Sequence, residues 1–588
     1  MLDVRIYRAA FVPLLLAILV AAFSLESRPR AIGTTLAPDA FDADLASARL
    51  DDYATRYPSR RPGPGDDAAL ADRVALDLGV LGGDAVQTFR HRGQTIDGER
   101  ELITVVATRP GRPGPGLVVV AHRDSAGVGA RAELSGTAAL VELARVSAAG
   151  RLRRTVTFVS TSGGSGGLAG AEEAVRRLPG PVDAVLVLGD LASRQVRKPW
   201  VVAWSSDPGA APLRLRRTVE AAVREESGQD AGGTRARGQW ARLAFGTTLS
   251  EQGAFGAAGL PAVLLSATGE RPPAADAPVS TKRLGTFGRA ALRTIFALDN
   301  GPTIAGGPER VLITQRKILP FWAVSALVAA ALFPAWLAAF DGLARVRRRR
   351  LAVGTALRWV ASAAIPFVLV VLVVLGLGLV GLLPARPGAL VPAGALQLDR
   401  TAAAVAATLA LVFAAGWTGA RPALLHVARA RAPLGDAHAA ATAAVVALVS
   451  LVVWLVNPFA AALLVLPVHL WLLAVAPEVR LGRPAAAALA LVALVPGLLA
   501  LDSLGGQLGY SALEGAWAVV LLSAGGGVGT LSWLAWAVTG GTAVCVGLLV
   551  ARRPPPPEDP PARGATVRGP RSYAGPGSLG GTDSALRR

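Results

Sequence analysis

Between Leu319 and Val550 the chain runs through one apolar stretch after another, and this region limits what the chain can fold into more than any other feature. In hydrocarbon no water satisfies backbone N–H and C=O groups, so apolar runs of about 20 residues must be helices. They fall near 321–340, 355–380, 402–419, 438–456, 459–476 and 484–501. A last apolar region, roughly 512–551, is interrupted by Gly525, Gly526 and Gly527; it is long for one span and short for two. At the other end Arg5 and Arg8 precede the apolar run Ala9–Leu25. That order fits an uncleaved signal anchor over residues 1–29, with a cleaved signal peptide as the competing reading. Eight or nine spans are expected in all.

The charge fits the same picture. The net charge of +19 comes almost entirely from arginine, with Lys198, Lys282 and Lys317 as the only lysines. Many arginines flank apolar spans, as in the loops 345–350, 421–431 and 480–483, which simple alternation puts on one side. Short cytoplasmic loops collect Lys and Arg, so this distribution argues membrane orientation and against nucleic acid as a partner. The lipid bilayer is the partner it implies. The expected location is a cell membrane, with residues 30–310 on the extracytoplasmic side. Cys545 is the single cysteine, so no intrachain disulfide is available. The Pro/Gly/Arg-rich residues 553–588 are expected to be a disordered cytoplasmic tail.

Residues 30–310 have a different pattern. Leu102–Thr108, Leu117–Ala121, Thr155–Ser160, Ala184–Leu188 and Ala262–Leu265 are short, β-rich, almost continuously apolar runs, as in strands buried on both faces. Between them lie helical patterns at Glu133–Ala148, Leu168–Leu178, Pro212–Glu225 and Arg283–Leu298. The alternation predicts an α/β domain with a mostly parallel central sheet and helices on both faces. It is followed by an all-α polytopic transmembrane bundle over 311–552.

One strand ends on chemistry. Leu117–Ala121 runs into His122, Arg123, Asp124 and Ser125, a His-x-Asp at the carboxyl end of a buried strand, where α/β sheets place their ligands. With Ser135–Gly136–Thr137, Gly167–Leu168–Ala169–Gly170 and Gly259–Leu260–Pro261, and with Tyr57–Pro58–Ser59–Arg60 ahead, the chain resembles metallopeptidase family 28, the co-catalytic zinc exopeptidases. The resemblance covers about 240 residues and implies a zinc-exopeptidase-like fold. Its spans placed after such a domain are also similar in layout to the endoplasmic-reticulum metallopeptidases of that family.

The family's chemistry uses two zinc ions, held by two histidines and three carboxylates, to acidify a water whose proton a glutamate takes. Carried over residue by residue, the first ligand is His122, with Asp124 supporting it, and the strand-end aspartate is Asp190. The bridging aspartate falls on Ala132, with Glu133 beside it, and the last histidine falls on Gln252, after Glu251. The glutamate pair that includes the base falls on Gly164 and Ser165. Three of five ligands and the base are therefore replaced, and an amide or hydroxyl is a poor zinc donor.

Glu133 and Glu251 are the candidate substitutes for a rewired site. The Gly163–Gly167 run lacks the Lys-Ser/Thr of a phosphate loop and reads as a flexible remnant. In the bundle, mid-span His469 is the main polar candidate, expected to bond a neighbouring helix rather than relay protons.

Three functions follow from the resemblance. The preferred one is a pseudopeptidase with no expected cofactor, whose cleft binds a peptide or protein partner. A zinc-dependent aminopeptidase with an altered metal site and a membrane scaffold or transporter with an accessory ectodomain are the alternatives. Because His122 belongs to no evident buried network, its replacement by Ala is expected to cost no more than about 1 kcal/mol.

Overall fold

A computed structural model describes residues 4–553 apart from 83–84, 151, 195–197, 235, 305, 384–388, 397, 429–433 and 480. The tail expected to be disordered lies, except for Arg553, outside the described residues.

The strands, in chain order, are β1 (Glu26–Ser27), β2 (Ala85–Thr95), β3 (Gly98–Arg109), β4 (Arg112–His122), β5 (Arg154–Thr161), β6 (Val182–Leu188), β7 (Trp200–Val202), β8 (Ala262–Ser266), β9 (Leu312–Ile313) and β10 (Lys317–Leu319). Seven of them form one sheet in the order β2-β3-β5-β4-β6-β8-β7. The four central strands β5, β4, β6 and β8 are parallel, as their unbroken apolar runs predict. The edges are antiparallel: β2 and β3 form a hairpin on one side, and β7 pairs β8 on the other. The sheet is therefore mixed, and its parallel part is its centre. Edge strand β2 carries a less continuous apolar run because it is covered on fewer sides.

Successive residues of a strand face opposite sides, and β4 shows what each side meets. Leu117, Val119 and Ala121 join a core with helices Ala43–Arg56, Arg131–Ala149 and Thr281–Asn300. Val118 and Val120 join a second core with helix Ala169–Arg177 and with Phe255. That second core continues without a break into Val324, Val328 and Leu332 of the bundle. One hydrophobic cluster thus joins the sheet to the membrane-type helices.

Among the described residues eight helices are long and apolar enough to cross a membrane: Arg5–Phe23, Phe321–Arg348, Val353–Leu379, Arg400–Val427, Asp436–Val456, Pro458–Val475, Arg483–Leu508 and Thr530–Ala551. The ambiguous region 512–551 resolves into a 13-residue helix, Ala512–Ala524, and a single long helix. Both ends of the short helix stay by the α/β part. Just before it Arg271 donates to Gln507 O at 3.3 Å, and just after it Gly525 lines a surface hollow with Arg92 and Glu99. The long helix then ends at the opposite pole, where Arg553 donates to the carbonyls of Ala474, Ala476 and Val479.

The antiparallel trio β1, β10 and β9 ties the exit of the first helix to the entry of Phe321–Arg348. Within the bundle His469 Nδ1 meets the Tyr7 hydroxyl at 2.7 Å, and Nε2 meets Ala331 O at 2.8 Å. Both ring nitrogens are thus held by neighbouring helices, the arrangement expected of a structural histidine.

Candidate functional site

The carboxyl ends of β4 and β6 open into a small cleft of about 40 Å³ lined by His122, Glu133, Asp190, Glu251, Glu270 and Pro392. Its walls form because helix Arg131–Ala149 comes close to the end of β6. A Cβ on Gly136 would lie 2.5 Å from Leu188 O and 2.6 Å from Gly189 O, so only glycine allows the approach. That approach buries Glu133 next to the strand ends.

Each residue picked out in the sequence can be located. His122 sits at the end of β4, with Nδ1 3.1 Å from Asp124 O and 3.4 Å from Asp124 Oδ1. Asp124 is fully buried and accepts from Gly164 N at 3.0 Å, Ser165 N at 2.9 Å and the Ser165 hydroxyl. This aspartate thus pulls the glycine-rich loop down over the histidine. A Cβ built on Gly164 would fall 2.4 Å from both Cβ and Cγ of His122. The loop expected to be a loose remnant is instead pinned, and Gly163, Gly166 and Gly167 supply the positive φ angles it needs.

Asp190 accepts from Ala192 N and Ser193 N, each at 2.9 Å, through Oδ1; its buried Oδ2 has no hydrogen-bond partner. Glu251 accepts from the Thr161 hydroxyl, and its Oε2 is likewise buried and unpartnered. Gln252 turns its amide nitrogen to Thr248 Oγ1 at 3.0 Å and Glu270 Oε1 at 3.4 Å, away from His122. Ala132 is buried in the helix and offers no donor.

Five residues to which the sequence assigned no role complete the site. Arg123, the middle residue of His-x-Asp, is fully buried and pairs with Asp67 at 2.9 Å. Arg60 is buried too and donates to the carbonyls of Arg123, Tyr57 and Ala130, bracing the strand end. Glu270 is held by Arg242, the Thr248 hydroxyl and Leu249 N. Arg242 in turn donates through Nε to Gln507 Oε1 at 3.2 Å, at the end of span Arg483–Leu508. A hydrogen-bonded chain therefore runs from the bundle through Arg242 and Glu270 to Gln252. Pro392, from the connection between two spans, adds a wall of the cleft itself. Only the repeated burial of Arg beside Asp or Glu could have hinted at these residues, since their partners lie far apart in the sequence.

The electrostatics follow from burial and from these pairs. Burial opposes a charge on His122, yet the Asp124 hydrogen bond and the fields of Asp124, Glu133 and Glu251 lift its imidazole to about 10. Burial pushes Glu133 up to about 7 against the pull of His122, and Asp190 up to about 6 against its backbone hydrogen bonds. Burial also raises Glu251. The cleft thus combines an imidazolium paired with Asp124 and carboxyl groups that give up their protons reluctantly.

Two zinc ions do not fit this arrangement. Ala132 and Gly164 supply no donor, Gln252 faces elsewhere, and the Gly164 backbone occupies the space beside the His122 ring. Among the described residues no group of three or more His, Cys, Asp or Glu side chains is arranged to hold a metal ion. What the geometry offers is a small, partly enclosed cleft in which His122 and reluctant acids stand among apolar walls.

Comparison with known proteins adds a family match over part of the chain. Residues 104–269 match the family model of Peptidase family M28. Similar solved structures include the Legionella pneumophila LapA aminopeptidase, 16% identical, covering 45% of this chain and 73% of its own, with a TM-score of 0.36. An aminopeptidase from Aneurinibacillus sp. strain AM-1 is 11% identical and covers 46% of this chain and 97% of its own, with a TM-score of 0.37. A Porphyromonas gingivalis glutaminyl cyclase is 16% identical and covers 44% and 98%, with a TM-score of 0.34. A comparison with curated proteins finds no match.

Proposed function

We propose that this chain, which matches Peptidase family M28 over residues 104–269, is a membrane-anchored pseudopeptidase whose cleft binds a peptide or protein partner without cleaving it. The observation that carries this reading is the Asp124 carboxylate holding Gly164 and Ser165 down on His122. A glutamate base and a second metal would need that same space. In this reading residues 30–310 form an extracytoplasmic ectodomain, residues 1–29 an anchor and residues 311–552 the transmembrane bundle. The arginine-rich loops then face the cytoplasm, as the orientation rule for short loops requires.

A second reading has one observation in its favour. Asp190 Oδ2 and Glu251 Oε2 are buried without hydrogen-bond partners, and both residues line the cleft with His122. Those are the donors a single ion would take in an altered metallopeptidase site.

Zinc content separates the two. The full chain, purified in detergent, incubated with excess zinc and desalted, is expected to retain no stoichiometric metal by elemental mass spectrometry. One or two tightly held ions per chain would overturn the pseudopeptidase reading in favour of an altered metallopeptidase.

A further inference from the structure

The strongest unexplained feature outside the cleft is a buried arginine in the bundle. Span Arg400–Val427 is α-helical to Ala415, widens into a π-helical turn over Gly416–Ala420, and resumes at Arg421. Such turns recur at functional sites, because the extra residue re-aims the side chains around it. Here the turn carries Trp417 and immediately precedes Arg421, which is only 7% exposed.

The Arg421 guanidinium lies 4.3 Å from the centre of the Trp417 ring and 5.4 Å from that of Trp359. It donates to Ser362 Oγ and to Trp359 O, each at 3.3 Å. Aromatic faces and neutral acceptors soften a buried charge but do not cancel it. Among the described residues no carboxylate lies within ion-pair distance of Arg421. A guanidinium keeps its proton in any protein environment, so it cannot become neutral as a lysine would. An unpaired charge inside a membrane-type bundle is costly and marks a place where an anion belongs.

Its position indicates which anion. Arg421 lies six residues before the helix end at Val427, roughly 9 Å at about 1.5 Å per residue. This is the arginine-rich end of the bundle, where Arg349 approaches Asp436 at 3.9 Å and the Phe321–Arg348 span ends. Arg358 stands exposed at the rim, one turn from Ser362 on the neighbouring span, and donates to Ala428 O at 2.7 Å. His438 is also buried, with both ring nitrogens unpartnered, and its ring lies 5.2 Å from Trp359. Lipid phosphates lie at the depth a rim arginine reaches, and basic pockets between spans take anionic headgroups.

We propose that Arg421 and Arg358 bind the phosphodiester of an anionic phospholipid between spans Val353–Leu379 and Arg400–Val427, with Trp417 and Trp359 flanking the headgroup. The planar guanidinium grips two phosphate oxygens at once, and two arginines with no carboxylate at ion-pair distance among the described residues favour a headgroup with net negative charge.

The test uses the full chain in detergent, with thermal unfolding read against added phosphatidylglycerol, phosphatidylcholine or inorganic phosphate. Phosphatidylglycerol is expected to raise Tm well above the effect of phosphatidylcholine, and inorganic phosphate to leave it unchanged. Arg358→Gln is expected to weaken the phosphatidylglycerol response about tenfold in lipid concentration, the loss of one charged hydrogen bond. Arg421→Lys, which keeps the charge but not the paired donors, is expected to weaken it by a similar factor. Arg421→Gln is expected to abolish it; should that variant not fold, the other two carry the test. Equal responses to both lipids, an equal response to inorganic phosphate, or unchanged responses in Arg358→Gln and Arg421→Lys would each overturn the proposal.

Discussion

Gly164 and His122 are in mutual contact so close that a Cβ on the first would sit 2.4 Å from Cβ and Cγ of the second. In the proposed pseudopeptidase reading Gly164 stands where a catalytic glutamate would be, and the contact makes that more than a missing functional group. The loop has closed on the histidine, and Asp124 keeps it closed through two backbone N–H groups.

Restoring a glutamate at that position should consequently fail. Gly164→Glu forces the loop off His122 and is expected to destabilise the chain by about 1–3 kcal/mol, as overpacking does. Thermal unfolding of the full chain measures this. A stable variant that gained zinc-dependent peptidase activity would show that the loop is not a barrier.

His122 itself is expected to matter more than its sequence context indicates. The expectation that it joins no buried network is corrected by the structure, because it bonds Asp124, which in turn holds Gly164 and Ser165. His122→Ala removes a charged hydrogen bond and is expected to cost about 2 kcal/mol. A change within about 0.5 kcal/mol, the ordinary range for a surface position, would return His122 to the role first expected of it.

The cleft carboxyls make a prediction about pH. Folded Glu133 holds its proton up to about 7, above its ordinary 4.5. A group with a raised folded pKa stabilises the fold below its unfolded pKa, and that contribution disappears as pH rises through the folded value. The Glu133 contribution is therefore complete below about 4.5 and lost by about 7. Glu133→Gln, which cannot ionise, is expected to unfold at a higher temperature than the parent at pH 8 and to match it near pH 4. Parallel Tm curves across that range would count against the buried, reluctant acid.

The buried Arg242–Glu270 pair, the cleft end of that link, can be tested by a mutant cycle. Arg242 and Glu270 are both almost fully buried as a pair, 3% and 2% exposed in their side chains. Arg242→Met leaves Glu270 buried without its cation and is expected to cost about 3–5 kcal/mol, whereas Arg242→Met with Glu270→Gln should cost clearly less. Additive losses in chemical unfolding would mean the two residues act independently.

Much of the architecture was legible before any coordinates. Runs such as Ala184–Leu188 and the six apolar stretches after Leu319 announce buried strands and spans because burial on all sides leaves a local, periodic mark. The identities at Ala132, Gly164 and Gln252 were equally readable, since the presence of a donor atom is a property of the residue alone. Edge strand β2 left a weaker mark, because a strand with fewer covered sides needs fewer apolar residues.

What only the tertiary structure decided are the meetings of residues distant in sequence. Arg123 with Asp67, Arg242 with Glu270 and Gln507, Pro392 in the cleft wall and Gly164 over His122 depend on how the layers are stacked. No local pattern encodes such pairs, because their energy arises only when burial removes water from both partners at once. The sequence determined that a sheet-bearing part would be joined to a bundle of apolar helices and that Ala132 and Gly164 carry no donor atom in their side chains. The packing decided that a glycine-rich loop would close on His122.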